Sequence, residues 1–224
     1  MGNRHFPWGD KEIVDKILAI GTDRHSSEEG NVENVILTMI VGIDTQDKVI
    51  EIVNMDCDMP VFLGDSGTVC LGAFIEQCFR SGDAHALDEI NAVLGIDVTY
   101  YVYADIKDIV NSISGIDIVL DKGEKQLVGI ETEDLNGLVS LDADQAAAYL
   151  GAKVNLTVEE RTERQFRFVK AAVKKVLSLE PKKVLQIFHK ASKKFFTNME
   201  KLEILKSVLA IILHWPMTVH KIAL

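Results

Sequence analysis

The chain has no apolar run long enough to cross a bilayer. Its longest late stretch, VLAIILHW, falls well short of the roughly 20 residues that a spanning helix needs. Its opening, MGNRHFPWGDKE, has no apolar core of the secretory-leader kind. The chain as it stands is therefore expected to be soluble, with any membrane anchor in a segment outside it. Net positive charge is also lacking. A formal charge of −10 and a pI near 5.1 exclude a sequence-independent nucleic-acid binder, which needs basic surface to displace counterions. The three cysteines, Cys57, Cys70 and Cys78, are odd in number and lack metal-ligand spacing. They read as buried free thiols rather than a disulfide framework, with Cys70 and Cys78 sharing a face of one helix. None of the six histidines has the H-x-x-x-H spacing of a metal site. Repeats, low-complexity segments and a Gly-rich phosphate loop are absent too, since LVGIETEDLNG has neither packed glycines nor a terminal Lys.

What remains is an ordinary globular composition, 47% hydrophobic and 26% charged over 224 residues, enough for a substantial core. ILAIGTD and NVILTMIVGID read as strands, and the second is nearly continuous apolar, as a strand covered on both faces would be. A polar loop is expected between them, beginning at Asp23-Arg24. KVIEIVNM and the aromatic, β-branched VTYYVYAD are further strands. Asp83 is a candidate N-cap for a helix ended by Gly95, and IKDIVNSIS is a short helix stopped by Gly115 before strand IDIVL.

From about residue 142 the pattern turns helical. Asp142 can cap ADQAAAYL, with Gly151 just past its end. Thr157 and Glu160 have capping-box spacing ahead of a helix to about Leu179, whose apolar stripe is Phe166, Val169, Val173, Val176 and Leu177. Pro181 opens another helix, TNME offers a second capping box for KLEILKSVLAIIL, and MTVHKIAL alternates as a closing strand. Strands alternating with helices predict an α/β sandwich, a mixed central sheet flanked by helices. No linker splits it, so a lead segment 1–14 and one domain 15–224 are expected.

The tempting motif GDSGT at 64–68 resembles the surroundings of a protease serine, but the helix-rich chain and the lack of a partner histidine make it a turn. Charges at element ends hold more promise. Asp23-Arg24 follows the first strand, Asp56 and Asp58 follow the third, and Arg161 and Arg164 share one side of the long helix. Acids for a hard cation and arginines for phosphate oxygens form an inventory for phosphoryl chemistry. Solvated turns and helix-face salt bridges explain the same residues equally well. The lysine-rich region after Arg161 has the same two readings, an anion-facing surface or a solvated helix face.

The order of the pieces points further. ILAIGTDR, VILTMIVGIDTQDKVIEIVNMDCD, INAVLGIDVTYYVYADIKDIVNSISGIDIVL, LDADQAAAYLGAK, ERTERQFRFVKAAVKKVL and FFTNMEKLEILKSVLAIIL together resemble the LytR-CpsA-Psr family, from about residue 15 to residue 224. The resemblance implies an α/β sandwich with an apolar cavity for a polyprenyl chain and a polar mouth for its pyrophosphate. Members transfer glycopolymers from polyprenyl-pyrophosphate carriers to peptidoglycan outside the membrane, using Mg²⁺ and arginines. Carried over, Asp23 is the metal ligand and Asp58, Arg161 and Arg164 are the catalytic residues. Arg24, Lys153 and Gln165 bind substrate.

The departures matter as much. Where the family has R-S/T-D, this chain has Val32 and Asn34 around Glu33; Cys57 replaces an arginine before Asp58, and Gly151 and Lys153 replace an R-x-R pair. Arg24 stands one place early. Charged phosphate contacts are worth roughly 1.5–3 kcal/mol each, so the lost arginines predict weak or lost catalysis, and Asn34 in place of the family's metal-binding Asp predicts weak Mg²⁺ binding. Glu33, Glu28 or Glu29 are the acids available to replace the missing carboxylate. The alternative is a non-catalytic module that binds a polyprenyl lipid, a glycan or an envelope partner. An envelope protein with a closed cavity is a third reading.

Overall fold

Two long strands open the fold, β1 (Asp15–Ser27) and β2 (Gly30–Asp44), in a computed structural model that describes residues 15–27, 30–44, 46–81, 83–130, 137–153, 156–191, 193–213 and 217–222. Residues 25–27 and 30–34, expected in a polar loop after Asp23-Arg24, are instead strand. Backbone ladders form whatever the side-chain polarity, and here polar side chains help to hold the strands together. The Thr22 hydroxyl donates to Glu33 Oε1 at 2.9 Å, and Arg24 Nε donates to the same oxygen at 2.7 Å. Glu28 and Glu29 lie outside the described residues, as does the lead segment.

The chain continues through β3 (Val49–Met55), β4 (Pro60–Phe62), β5 (Thr68–Cys70), α1 (Leu71–Ser81), α2 (Asp83–Leu94), β6 (Tyr100–Asp105), α3 (Ile106–Ser112), β7 (Ile116–Leu120) and α4 (Lys122–Leu127). It ends with β8 (Gly137–Leu141), α5 (Ala143–Gly151), α6 (Val158–Leu177), α7 (Pro181–Ala191), β9 (Phe195–Thr197), α8 (Lys201–Leu213) and β10 (Thr218–Ile222). The expected α/β architecture is present. A mixed sheet of six strands, in the order β10-β3-β2-β1-β6-β9, is flanked by helices; β10 runs parallel to β3, and β3 antiparallel to β2. Residues Val35 to Ile40 of β2 are all buried, so this strand is covered on both faces. The strand IDIVL is not in that sheet. As β7 it pairs with β8 in a separate two-stranded sheet.

Packing divides the chain into two compact units, one of Met1–Ile20, Leu37–Tyr103 and Phe196–Leu224, the other of Gly21–Ile36 and Ala104–Phe195. Each is assembled from separated stretches, which is why no linker marks the division. In the first unit, Phe79 lies between Tyr101 and Tyr103, with ring centroids 5.0 and 4.7 Å away. GDSGT is the connection of the β4–β5 hairpin. Gly64 and Gly67 take φ of 60° and 91° there, which only glycine adopts freely, and all five residues are exposed. The second capping box does not form. Thr197 lies in β9, where its hydroxyl donates to Tyr101 O, and Glu203 reaches back to the Glu200 N–H at 2.9 Å instead.

The second unit is built on helix caps. Asp142 with Gln145, and Thr157 with Glu160, close capping boxes at the starts of α5 and α6, and Asp121 with Glu124 closes another at α4. Gly151 is the last residue of α5 rather than the one beyond it. Along α6, burial falls on Arg164, Gln165, Phe166 and Phe168, while Val169, Val173, Val176 and Leu177 are only half-buried. The expected stripe is thus displaced toward the first turns, where the polar residues are.

The thiols differ from the sequence expectation. Cys70 ends β5 and is exposed, whereas Cys78 is buried in α1, so they share no helix face. Burial first, and then the neighbouring Glu89 carboxylate, push the Cys78 thiol up to about 12. We expect a thiol reagent at mildly alkaline pH to label Cys70 promptly in the native protein, and Cys57 and Cys78 only after denaturation. Equal labelling of all three would contradict this burial pattern.

Candidate functional site

Asp23 meets a lysine that the sequence reading overlooked. Asp105, the last residue of β6, caps α3. One carboxylate oxygen accepts the Lys107 backbone N–H at 2.7 Å and the other accepts the Arg24 backbone N–H at 3.1 Å. One side chain, 5% exposed, thus ties the start of α3 to β1 beside Asp23. The Lys107 ammonium is thereby brought to 3.3 Å from Asp23 Oδ1 and 2.9 Å from Asp144 Oδ1. Asp23 Oδ1 is buried and has no hydrogen bond of good geometry, so this ammonium is its charge partner in the structure. The Asp144 contact and, after a burial penalty, Asp23 hold the lysine's pKa above its ordinary value.

On the same strand, Arg24 is committed to Glu33, its Nε 2.7 Å from the carboxylate. Asn34 is exposed, and nothing is described of the Val32 side chain. Glu33 serves Thr22 and Arg24 rather than standing clear as a spare metal carboxylate.

Helix α6 contributes three more of the expected residues. Gln165 is buried and donates its amide to Ile36 O of β2 at 2.9 Å, so it tethers the helix to the strand. Arg164 is 3% exposed. Its guanidinium donates to Ala152 O and lies 5.4 Å from the centre of the Tyr149 ring, while its Nε has no hydrogen-bond partner. Burial is the largest influence on it and lowers its pKa, against the raising effects of Tyr149 and Glu124. Arg161 is half-buried and donates to Leu156 O at 3.3 Å. Lys153 is exposed. A cβ added at Gly151 would meet Ile36 Cγ2 at 3.6 Å, an ordinary contact, so an arginine's backbone and Cβ fit there.

Behind Arg164 lies a second unanticipated group. Glu124 of α4 accepts from the Tyr149 hydroxyl at 3.2 Å and forms an ion pair with Arg167. It holds Tyr149, whose ring supports Arg164.

Asp58 belongs to the first unit. It is exposed, and its N–H donates to Asp56 Oδ1 at 3.2 Å in a local turn. Its neighbour Cys57, at the position of an expected arginine, is 4% exposed with its sulfur 3.5 Å from the Thr38 hydroxyl. The residues brought together are therefore Asp23 with Lys107, Asp105 and Asp144, and separately Arg164 with Tyr149, Glu124 and Arg167. The sequence signal for the first group was D-x-K at a strand–helix junction. The second is held by residues far apart in sequence, and no spacing announces it.

The donor set around Asp23 does not fit Mg²⁺. That ion takes oxygens at about 2.0–2.1 Å in octahedral geometry. Here the carboxylate already faces an ammonium, Asn34 is neutral, and among the described residues no three His, Cys, Asp or Glu side chains gather to hold a metal.

A mixed sheet flanked by helices, with a charged cluster where β6 meets α3, defines an α/β protein with a polar site at a strand–helix junction. Residues 10–222 match the sequence model of the LytR_cpsA_psr family, and the chain belongs to that family. Solved structures share the fold. TagT bound to LIIa-WTA has a TM-score of 0.68 at 17% identity, over 94% of this chain and 78% of that one. TagV of B. subtilis gives 0.64 at 19% identity, covering 93% and 84%, and Lin1025 from Listeria innocua gives 0.63 at 18%, covering 94% and 82%. No curated protein sequence matches the chain.

Substitutions at two positions test this geometry. Replacing Asp105→Ala strips two backbone N–H groups of their acceptor, one of them a helix cap, and should cost about 2–4 kcal/mol in urea denaturation. Asp105→Asn keeps one acceptor oxygen and should cost roughly half of that. Cys57→Arg should destabilise by about 3 kcal/mol or more, because it places a bulky charge in a closed, filled position. A neutral effect would mean the position opens readily to solvent.

Proposed function

We propose that this chain is a cell-envelope protein that binds the pyrophosphate of a polyprenyl-linked glycan, with weak or lost transfer chemistry. The observation that carries the reading is Arg164, a buried guanidinium held between a backbone carbonyl and an aromatic ring, with a donor left over. Burying a charge is costly unless it is used, and a planar donor fork suits phosphate oxygens. Membership of the family supports an envelope role, and the neighbours solved with a wall teichoic acid glycopolymer bound support a glycopolymer ligand.

In this reading Arg164 is the principal phosphate contact, Arg161 contributes from the first turn of α6 and Lys153 from the segment after α5, and Gln165 fixes the helix. An apolar pocket opening near Asp23 would take the polyprenyl chain, and peptidoglycan is the acceptor if transfer survives. The working place would be outside the membrane; among the described residues no helix is long and apolar enough to span one.

Weak transfer follows from commitments already made. Asp23 is engaged by Lys107, Arg24 by Glu33, and Cys57 and Gly151 offer no guanidinium. A non-catalytic binding module is the second reading, favoured by that same Asp23–Lys107 pair.

Farnesyl pyrophosphate serves as a short probe. Calorimetric titration should show binding, weakened about 10–100-fold by Arg164→Ala, the loss of one charged phosphate contact. Pyrophosphate-bond cleavage of a lipid-linked glycan should be feeble with or without Mg²⁺, and should rise only in a variant carrying Val32→Arg, Asn34→Asp and Gly151→Arg. Robust Mg²⁺-dependent turnover by the native chain would overturn weak catalysis. Failure of the native chain to bind the probe would overturn the reading.

A further inference from the structure

We propose that Lys107 supplies from the chain itself the positive charge that Asp23 would otherwise take from a divalent cation, so that the site binds pyrophosphate without metal and Asp144 holds the ligand's place while it is absent. The proposal rests on the pyrophosphate-binding reading above and concerns the part that the Asp23 cluster plays in it.

Three observations carry it. The Lys107 ammonium stands 3.3 Å from Asp23 Oδ1 and 2.9 Å from Asp144 Oδ1, so it already bridges two carboxylates as a bound cation would. A second cation at Mg²⁺-to-oxygen distance from Asp23, about 2 Å, would lie within a few ångströms of that ammonium and be repelled by it. The backbone that carries the lysine is also fixed. Its backbone N–H is held by the Asp105 cap, and the same carboxylate holds β1 at Arg24.

The two carboxylates are not equivalent. The Asp23 side chain is 28% exposed and its Oδ1 is buried, whereas Asp144 is 86% exposed. An exposed carboxylate on an ammonium is weakly held and readily exchanged. Asp23 is the permanent partner, and Asp144 is the one that an incoming anionic oxygen can replace. A lysine ammonium has three N–H donors with no fixed fork, so it can keep Asp23 and turn another donor to a phosphate oxygen. No bond is made or broken; one oxygen anion replaces another on the same ammonium.

The test uses the whole chain and inorganic pyrophosphate as probe. In EDTA the native protein should bind pyrophosphate, and Mg²⁺ alone should leave its melting temperature unchanged. Lys107→Met should weaken binding in EDTA about tenfold, the worth of one charge-assisted contact, and should make the melting temperature rise with Mg²⁺ because two carboxylates are released. Asp144→Asn, an exposed change that leaves the fold alone, should tighten pyrophosphate binding severalfold by removing the competitor. This variant decides the matter should Lys107→Met fail to fold.

Binding by the native chain only when Mg²⁺ is present would overturn the proposal and leave the pyrophosphate reading standing. Binding under neither condition would overturn both. Unchanged or weaker binding by Asp144→Asn would remove Asp144 from the placeholder role and overturn the exchange.

Discussion

A single buried carboxylate organises the charged end of the second unit. Asp105 ends β6, caps α3 and accepts the backbone of β1 at Arg24, so strand, helix and neighbouring strand share one acceptor pair. A carboxylate that accepts two backbone N–H groups fixes both donors at once. The position of Lys107, and hence the partner of Asp23, follows from it. Without that clamp, α3 would lose its cap and the lysine would lose its reason to stand beside the strand.

The charged groups are largely committed to one another. Asp23 has Lys107, Arg24 has Glu33, and Glu124 has Arg167 together with the Tyr149 hydroxyl. A site that manages its charges internally is stable and well placed, but it has few left to spend on a developing phosphate charge. Arg164 differs from these pairs in being buried and still holding an unused donor. This contrast separates binding, which one good guanidinium supports, from transfer, which needs several fixed cations together.

Departures from a family pattern are also not simple deletions. Where an arginine is expected, Cys57 sits buried against Thr38. At Gly151 an added Cβ makes only an ordinary contact. Restoring the lost residues one by one would therefore meet different resistance at each site.

Sequence by itself determined the elements whose causes are local. The capping boxes at Asp142 and Thr157, the continuous apolar strand around Ile36–Ile40, the turn at GDSGT and the closing strand β10 all follow from residues within a few places of one another, and the collinear order of motifs carries the family. Only the tertiary structure decided what lies between distant segments. The motif-bearing helix α6 buries Arg164 and Gln165 rather than its valine stripe, because Ile36 O, Ala152 O and the Tyr149 ring come from other elements. The box foreseen at Thr197 gave way to the pairing of β9 with Tyr101. Lys107 meets Asp23 across 84 positions of sequence, and no periodicity encodes that separation. It arises because β1 and β6 are neighbours in the sheet and Asp105, the last residue of β6, holds both β1 at Arg24 and the start of α3.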